Sequence, residues 1–266
     1  MMSSEVLELL IRTQLVASVA ILALLALRRL VPLDPDTRIW LWMIPLAAGT
    51  VSIAGDVPIP WEGLNAQAVR LWADAAAWGP ALLAVWLAGA AAAMIRVAAQ
   101  HLAFLREARR GRAGPAVVGV ACQRIIMPAA PAFEPAERAL IRAHEWEHIR
   151  RNDLAVRNVL ALVQCLCWFN PLIHYAAAEL RLDQELACDE TVVRRLGRRR
   201  LYAETLLKCH TARPSPLGCH WLGRGAHPLE ARLAALARRP VSEQRRALMT
   251  ALGLAVGLIA FAVSLR

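Results

Sequence analysis

Apolar residues in this chain gather into long runs toward both ends and into shorter, periodic groups in between. A helix needs about 20 mostly apolar residues to cross a bilayer. Four stretches are candidates: Leu9 to Leu27, Ile39 to Ala54, Gly79 to Ala98 and Ala247 to Leu265. The second is short and interrupted by Pro45. The first has its positive charges mostly behind the apolar run and no clear small-residue cleavage site, so it reads as a retained span and not as a signal peptide. Between the third and fourth spans the pattern changes. Gly114 to Ala130 is short, rich in β-branched residues and bounded by Gly and Pro, which predicts one strand or a hairpin. "EPAERALIRAHEWEHIRRND" predicts a helix with Pro135 in its first turn, apolar positions at Leu140, Ile141 and Ile149, and a polar stop at Asn152-Asp153. Leu154 to Phe169 is nearly all apolar and ends at Asn170-Pro171. At about 16 residues it is short for a full crossing, so it is either buried in protein or embedded in the membrane. A third helix runs from Pro171 to about Leu196, capped by Asn170 and Gly197.

Composition reinforces the membrane reading. Of 266 residues 58% are hydrophobic, yet the formal net charge is +10; such a chain must segregate apolar spans from arginine-bearing loops. Arg28, Arg29 and Arg38 follow the first span, Arg106, Arg109, Arg110 and Arg112 follow the third, and Arg245 and Arg246 precede the fourth. The loop from Gly55 to Trp78 carries Asp56, Glu62 and Asp74 against Arg70 alone. Positive loops stay in the cytoplasm, so this loop and both termini are expected outside. The expected fold is a mainly α membrane protein of about four transmembrane helices. Residues 1–98 hold three spans with their loops, 99–246 a cytoplasmic domain with a short β segment, and 247–266 the last span. The lipid bilayer is thus the first expected partner. Arginines that flank spans or lie on polar helix faces argue against direct nucleic-acid binding. The six cysteines fall in the segment placed in the cytoplasm, where reduced thiols are the default.

"AHEWEHIRRND" carries candidate chemistry. On a helix His144 and His148, four residues apart, share one face and can present two imidazoles to one metal ion, with Glu145 beside them. A catalytic zinc takes three protein ligands and leaves a fourth position to water; a neighbouring carboxylate, here Glu145, is the candidate general base. The plainer alternative is a surface helix whose histidines pair with Glu145 and Glu147. "RLDQELACDE" offers a third ligand in Glu185, if the return helix packs beside the first, and in Asp189 an acceptor for the other ring N–H of a ligand histidine. A solvated acidic face is the competing reading of that pair.

"HEWEHIRRND", "WFNPLIH" and "RLDQELACDE", in that order between a third and a fourth span, resemble the BlaR/MecR family of integral-membrane zinc metallopeptidases, itself similar to the gluzincins. The resemblance implies a gluzincin-like cytoplasmic domain with zinc held by His144, His148 and Glu185, Glu145 as catalytic base and Asp189 supporting a ligand. It implies a zinc endopeptidase in signal transduction, in a bacterial-type inner membrane, acting on a cytoplasmic protein such as a transcriptional repressor and, in some members, on itself. A homodimer is a further candidate assembly. "GVACQRIIMP" resembles the family's segment where a substrate strand could add. The best-known members carry an extracellular penicillin-binding domain after the fourth span; this sequence ends at Arg266, so sensing through such a domain is not expected of it. The alternatives are a non-catalytic membrane signalling or scaffold protein of the same fold, and a membrane quality-control gluzincin peptidase.

Other features have plainer readings. Cys209-His210, Cys219-His220 and His227 fit no recognised zinc spacing. Cys188 reads as a small packed residue, because no histidine is placed by sequence to activate it. Arg198-Arg199-Arg200 and Arg238-Arg239 suit an anionic lipid surface better than a self-cleavage site. Trp40, Trp61, Trp72 and Trp78 lie near span ends, as an aromatic belt would. Arg181, His174 and Tyr202 are oxyanion donors by residue type alone and are left outside the site.

Overall fold

A computed structural model describes residues 2–31, 33–45, 78–112, 115–119, 123–127, 129, 133–211 and 228–238, with single positions at 244, 247, 248, 251 and 255. Among the described residues the chain is helical apart from one hairpin. The helices are α1 (Met2–Leu30), α2 (Pro35–Leu41), α3 (Gly79–Arg109), α4 (Pro135–Arg150), α5 (Asp153–Leu166), α6 (Pro171–Leu196), α7 (Arg199–Thr211) and α8 (Pro228–Ala237). Strands β1 (Ala116–Val118) and β2 (Arg124–Ile126) pair antiparallel with Val117 opposite Ile125.

Among the described residues two helices are long and apolar enough to cross a membrane, over Leu9–Leu30 and Gly79–Arg109. The expected third span stops at Ala98, but its helix continues to Arg109. The residues from Gln100 onward include neither Gly nor Pro and are mostly good helix formers, so the helix outlasts its apolar run. The boundary drawn at 98/99 therefore falls inside one continuous helix. Of the second expected span only residues 39–45 are described, and of the fourth only isolated positions; the remainder lies outside the described residues.

The chain divides into two compact units. One combines Met1–Ala93 with Cys165–Ile173 and Gln244–Arg266. In it Ile21, Leu24, Leu41, Trp42 and Ala90 are buried, while Val19, Leu22, Val85 and Leu87 face outward. The turn from α5 to α6 is tied to the two spans. Trp86 Nε1–H donates to the Leu166 carbonyl at 2.7 Å, Trp168 Nε1–H to the Trp86 carbonyl at 3.2 Å, and the Asn170 amide to Gln14 and Ser18 at 2.9 and 3.0 Å. Gly89 makes room for the indole: a Cβ there would lie 2.2 Å from Trp168 Cε2.

The other unit, Met94–Gln164 with His174–Glu243, holds the hairpin and most of α4 to α8. Pro135 starts α4 where no N–H partner is needed, and the Glu134 N–H donates to the Glu137 carboxylate at 2.8 Å. Asn152, at φ 57°, ends that helix in the left-handed conformation that asparagine tolerates, and α5 begins at once. The Asn170 side chain accepts from the Leu172 N–H at 3.0 Å at the start of α6, and Gly197, at φ 68°, closes it, as the capping residues predict.

Leu140, Val192, Tyr202 and Leu236, one residue from each of α4, α6, α7 and α8, form a buried cluster. Leu140 is one turn from His144, Val192 nearly one turn from Asp189, and Leu236 one turn from Arg232. Hydrophobic packing on one side of each helix thus aims a polar residue at a common point on the next turn.

Candidate metal centre

His144, His148 and Glu185 meet in the second unit. The Nε2 atoms of the two histidines lie 3.1 Å apart. His144 Nε2 is 3.2 Å from Glu185 Oε2 and His148 Nε2 is 3.4 Å from Oε1. Both imidazoles are buried, and their rings stand edge to face. The i,i+4 spacing puts them on one face of α4, and the antiparallel return through α5 and α6 supplies the carboxylate.

The far side of each ring is anchored. His148 Nδ1–H donates to Asp153 Oδ2 at 2.7 Å. Tyr202 donates to Asp189 Oδ1 at 2.6 Å, so its oxygen, 2.9 Å from His144 Nδ1, accepts the proton of that ring. Asp189 Oδ1 also lies 3.3 Å from His144 Nδ1. With both protons on Nδ1, both Nε2 atoms present lone pairs.

Two bare nitrogens and a carboxylate facing one another at about 3 Å repel unless a cation sits among them. That donor set, two imidazoles and one carboxylate, fits a metal ion of the zinc type. In the protein alone a proton takes the cation's part. Burial pushes the His144 imidazole down, but its hydrogen bonds to Asp189 and Glu185 outweigh this and raise it to about 10. Burial works to raise Glu185, yet Arg232 and the two histidines hold it well below the usual carboxylate range. Asp189 is likewise lowered against its burial by the Arg232 guanidinium, which grips both its oxygens at 2.7 Å. Burial and Asp189 keep the Tyr202 hydroxyl protonated, as its donor role requires.

Glu145, next to His144 on α4, is 6% exposed. Four contributors stand outside the residues expected from sequence. Asp153, read as a helix stop, orients His148; Tyr202, set aside as an oxyanion donor, joins His144 to Asp189. Arg232 Nη1 pairs with Glu185 at 3.0 Å, and Arg157 Nη2 donates to its other oxygen at 2.7 Å. Cys188 is buried, as expected, but the reason given for it fails. His148 Nδ1 lies 3.3 Å from its sulfur. That nitrogen is committed to Asp153, and burial with the nearby Glu185 and Asp153 charges drives the thiol far up, so Cys188 stays a packed thiol. His174 and Arg181 both bond Gln164, at 3.1 and 3.2 Å. The other cysteine–histidine grouping lies outside the described residues except for Cys209 and the backbone of His210.

Comparison with known proteins places the chain in a family. The sequence profile of the family described as BlaR1 peptidase M56 matches residues 8–236. A regulatory protein BlaR1 of Bacillus licheniformis is 32% identical over 97 residues, which are 35% of this chain and 16% of the relative. Methicillin resistance mecR1 proteins of Staphylococcus aureus and Staphylococcus epidermidis are 28% identical over 99 residues, 36% of this chain and 17% of theirs. The matched stretch is therefore about a sixth of each relative's length. No solved structure matches.

Proposed function

The chain belongs to the BlaR1 peptidase M56 family, a family of metallopeptidases, and from that premise we propose that it is a membrane zinc endopeptidase whose site, in the cytoplasm, cleaves a repressor-type protein. The observation that carries the reading is the convergence of His144, His148 and Glu185 around one point with Glu145 adjacent in the chain. Zinc held by those three residues supplies Lewis acidity, bringing the pKa of water to near 7 and polarising a peptide carbonyl. The chain's own residues do the rest. The Glu145 carboxylate accepts the proton that water loses on attacking the carbonyl carbon, then delivers it to the departing amide nitrogen. Asp153 and the Tyr202–Asp189 pair hold each imidazole proton on Nδ1, so that neither Nε2 is lost to the wrong tautomer. Arg157 and Arg232 fix the two oxygens of Glu185. The two long apolar helices and the similarity to BlaR1 and mecR1 proteins support the membrane and signalling parts of the reading.

Two measurements test it together. Detergent-purified protein is expected to carry about one zinc per chain, lost or much weakened in His148→Ala and Glu185→Ala. Glu145→Gln is expected to keep the zinc and lose peptide-bond cleavage; cleavage at the wild-type rate in that variant sinks the assignment, and failure to bind zinc after reconstitution leaves the scaffold role.

A further inference from the structure

Helix α5 is built inside out. Its polar side chains Asp153, Arg157 and Gln164 turn inward, to His148, to Glu185 and Gln184, and to His174. Ala155, Val159, Leu162 and Leu166 are exposed, and Phe169 beyond the helix end is exposed with them. At 3.6 residues per turn these two sets lie on opposite sides of the helix. Asn158, near the amino-terminal end, is the exposed polar residue closest to the apolar stripe. A surface helix in water shows the reverse arrangement.

What covers the stripe is indicated where α5 ends. Leu166, Trp168 and Asn170 are bonded to Trp86, Gln14 and Ser18, residues of the two helices apolar enough to cross a membrane. The apolar stripe therefore continues through Leu166 and Phe169 into the segment bonded to those two helices. We propose that α5 lies in the bilayer, its Val159–Leu162–Leu166–Phe169 face against acyl chains. At about 1.5 Å per residue its 14 residues span some 21 Å, too short to cross a hydrocarbon core of about 30 Å, so it enters one leaflet and does not traverse. Arg157, on the opposite side of this helix, then reaches from the membrane to Glu185, and the metal centre works at the lipid boundary. A protein cut there presents its scissile bond close to the membrane surface.

The inference rests on membrane insertion and not on catalysis, so a test can fail it while the peptidase reading stands. The full chain, reconstituted in phosphatidylcholine and phosphatidylglycerol vesicles, is irradiated with a diazirine-bearing phospholipid, and the adducts are mapped by mass spectrometry. Val85, Leu87 and Ile95 of α3 set the scale for lipid contact. Adducts at Val159, Leu162 and Leu166 at a yield per residue comparable to α3 are expected. Background labelling there, with α3 fully labelled, overturns the proposal. The same background labelling in a sample that a separate amine-reactive cross-linker traps as a dimer would make a second chain the occupant.

Discussion

At the scale of single residues the site is a problem in placing protons, and His144 makes it measurable. Its pKa in the metal-free fold, about 10, lies above the ordinary 6.5. A raised imidazole pKa stabilises the fold fully below the unfolded value, and the contribution is lost as pH rises through the folded one. Chelated protein is therefore expected to lose thermal stability as pH climbs from 6.5 to about 10. Zinc must displace that proton, so the stabilisation it adds should grow over the same window. Differential scanning fluorimetry in detergent, with and without zinc, reads both slopes; a chelated protein with a flat profile would show that His144 holds no such proton. His144, Glu145 and His148 are legible in the sequence because a helix makes i,i+4 neighbours by geometry alone, and Glu185 because a return helix is foreseeable. Asp153 was visible only as a helix stop, since its use depends on the turn at Asn152. Tyr202 and Arg232 come from helices with no fixed spacing to α4, so no motif could point to them.

At the scale of elements, packing decides whether those residues meet. Leu236 carries no chemistry, yet it docks α8 into the cluster with Leu140, Val192 and Tyr202, and Arg232 rides on the turn before it. Truncating a buried leucine to alanine costs about 2–5 kcal/mol. In Leu236→Ala the loss falls on the contact between α8 and its neighbours, so Asp189 and Glu185 lose their guanidinium partner along with the core. The expected result is a lower melting temperature together with weaker zinc retention against a chelator, whereas Leu207→Ala, at an exposed position, leaves both unchanged. A Leu236→Ala protein that melts early but keeps wild-type zinc retention would separate the arginine's grip from the packing. The start and stop of α4 and the two ends of α6 were legible because they are local, written in Pro135, Asn152, Asn170 and Gly197. The inverted face of α5 was not: an almost uniformly apolar string does not reveal which side its few polar residues will turn to until Glu185, Gln184 and His174 are in place.

For the whole molecule the outstanding question is which side of the membrane the metal centre occupies, and the charge distribution makes a definite prediction. Arg106, Arg109, Arg110 and Arg112 close the end of α3 and the residues after it, while the Gly55 to Trp78 loop is nearly free of basic residues. Each arginine near a span end resists translocation, and the bias is counted over short flanks such as these. The Gly55 to Trp78 loop directly ahead of α3 carries little positive charge, so the end of α3 at Arg109 is expected inside. Alkaline phosphatase, active only after export, fused behind Arg112 should then be inactive, and fused within the Gly55 to Trp78 loop it should be active. Fusion at Arg266 should also give activity, because the last apolar stretch is expected to return the chain to the outside. Activity behind Arg112 would put the metal centre outside and end the case for a cytoplasmic substrate, while leaving the three-ligand geometry untouched. The site's chemistry and its compartment are separate claims because one rests on distances of about 3 Å and the other on charges spread along the chain.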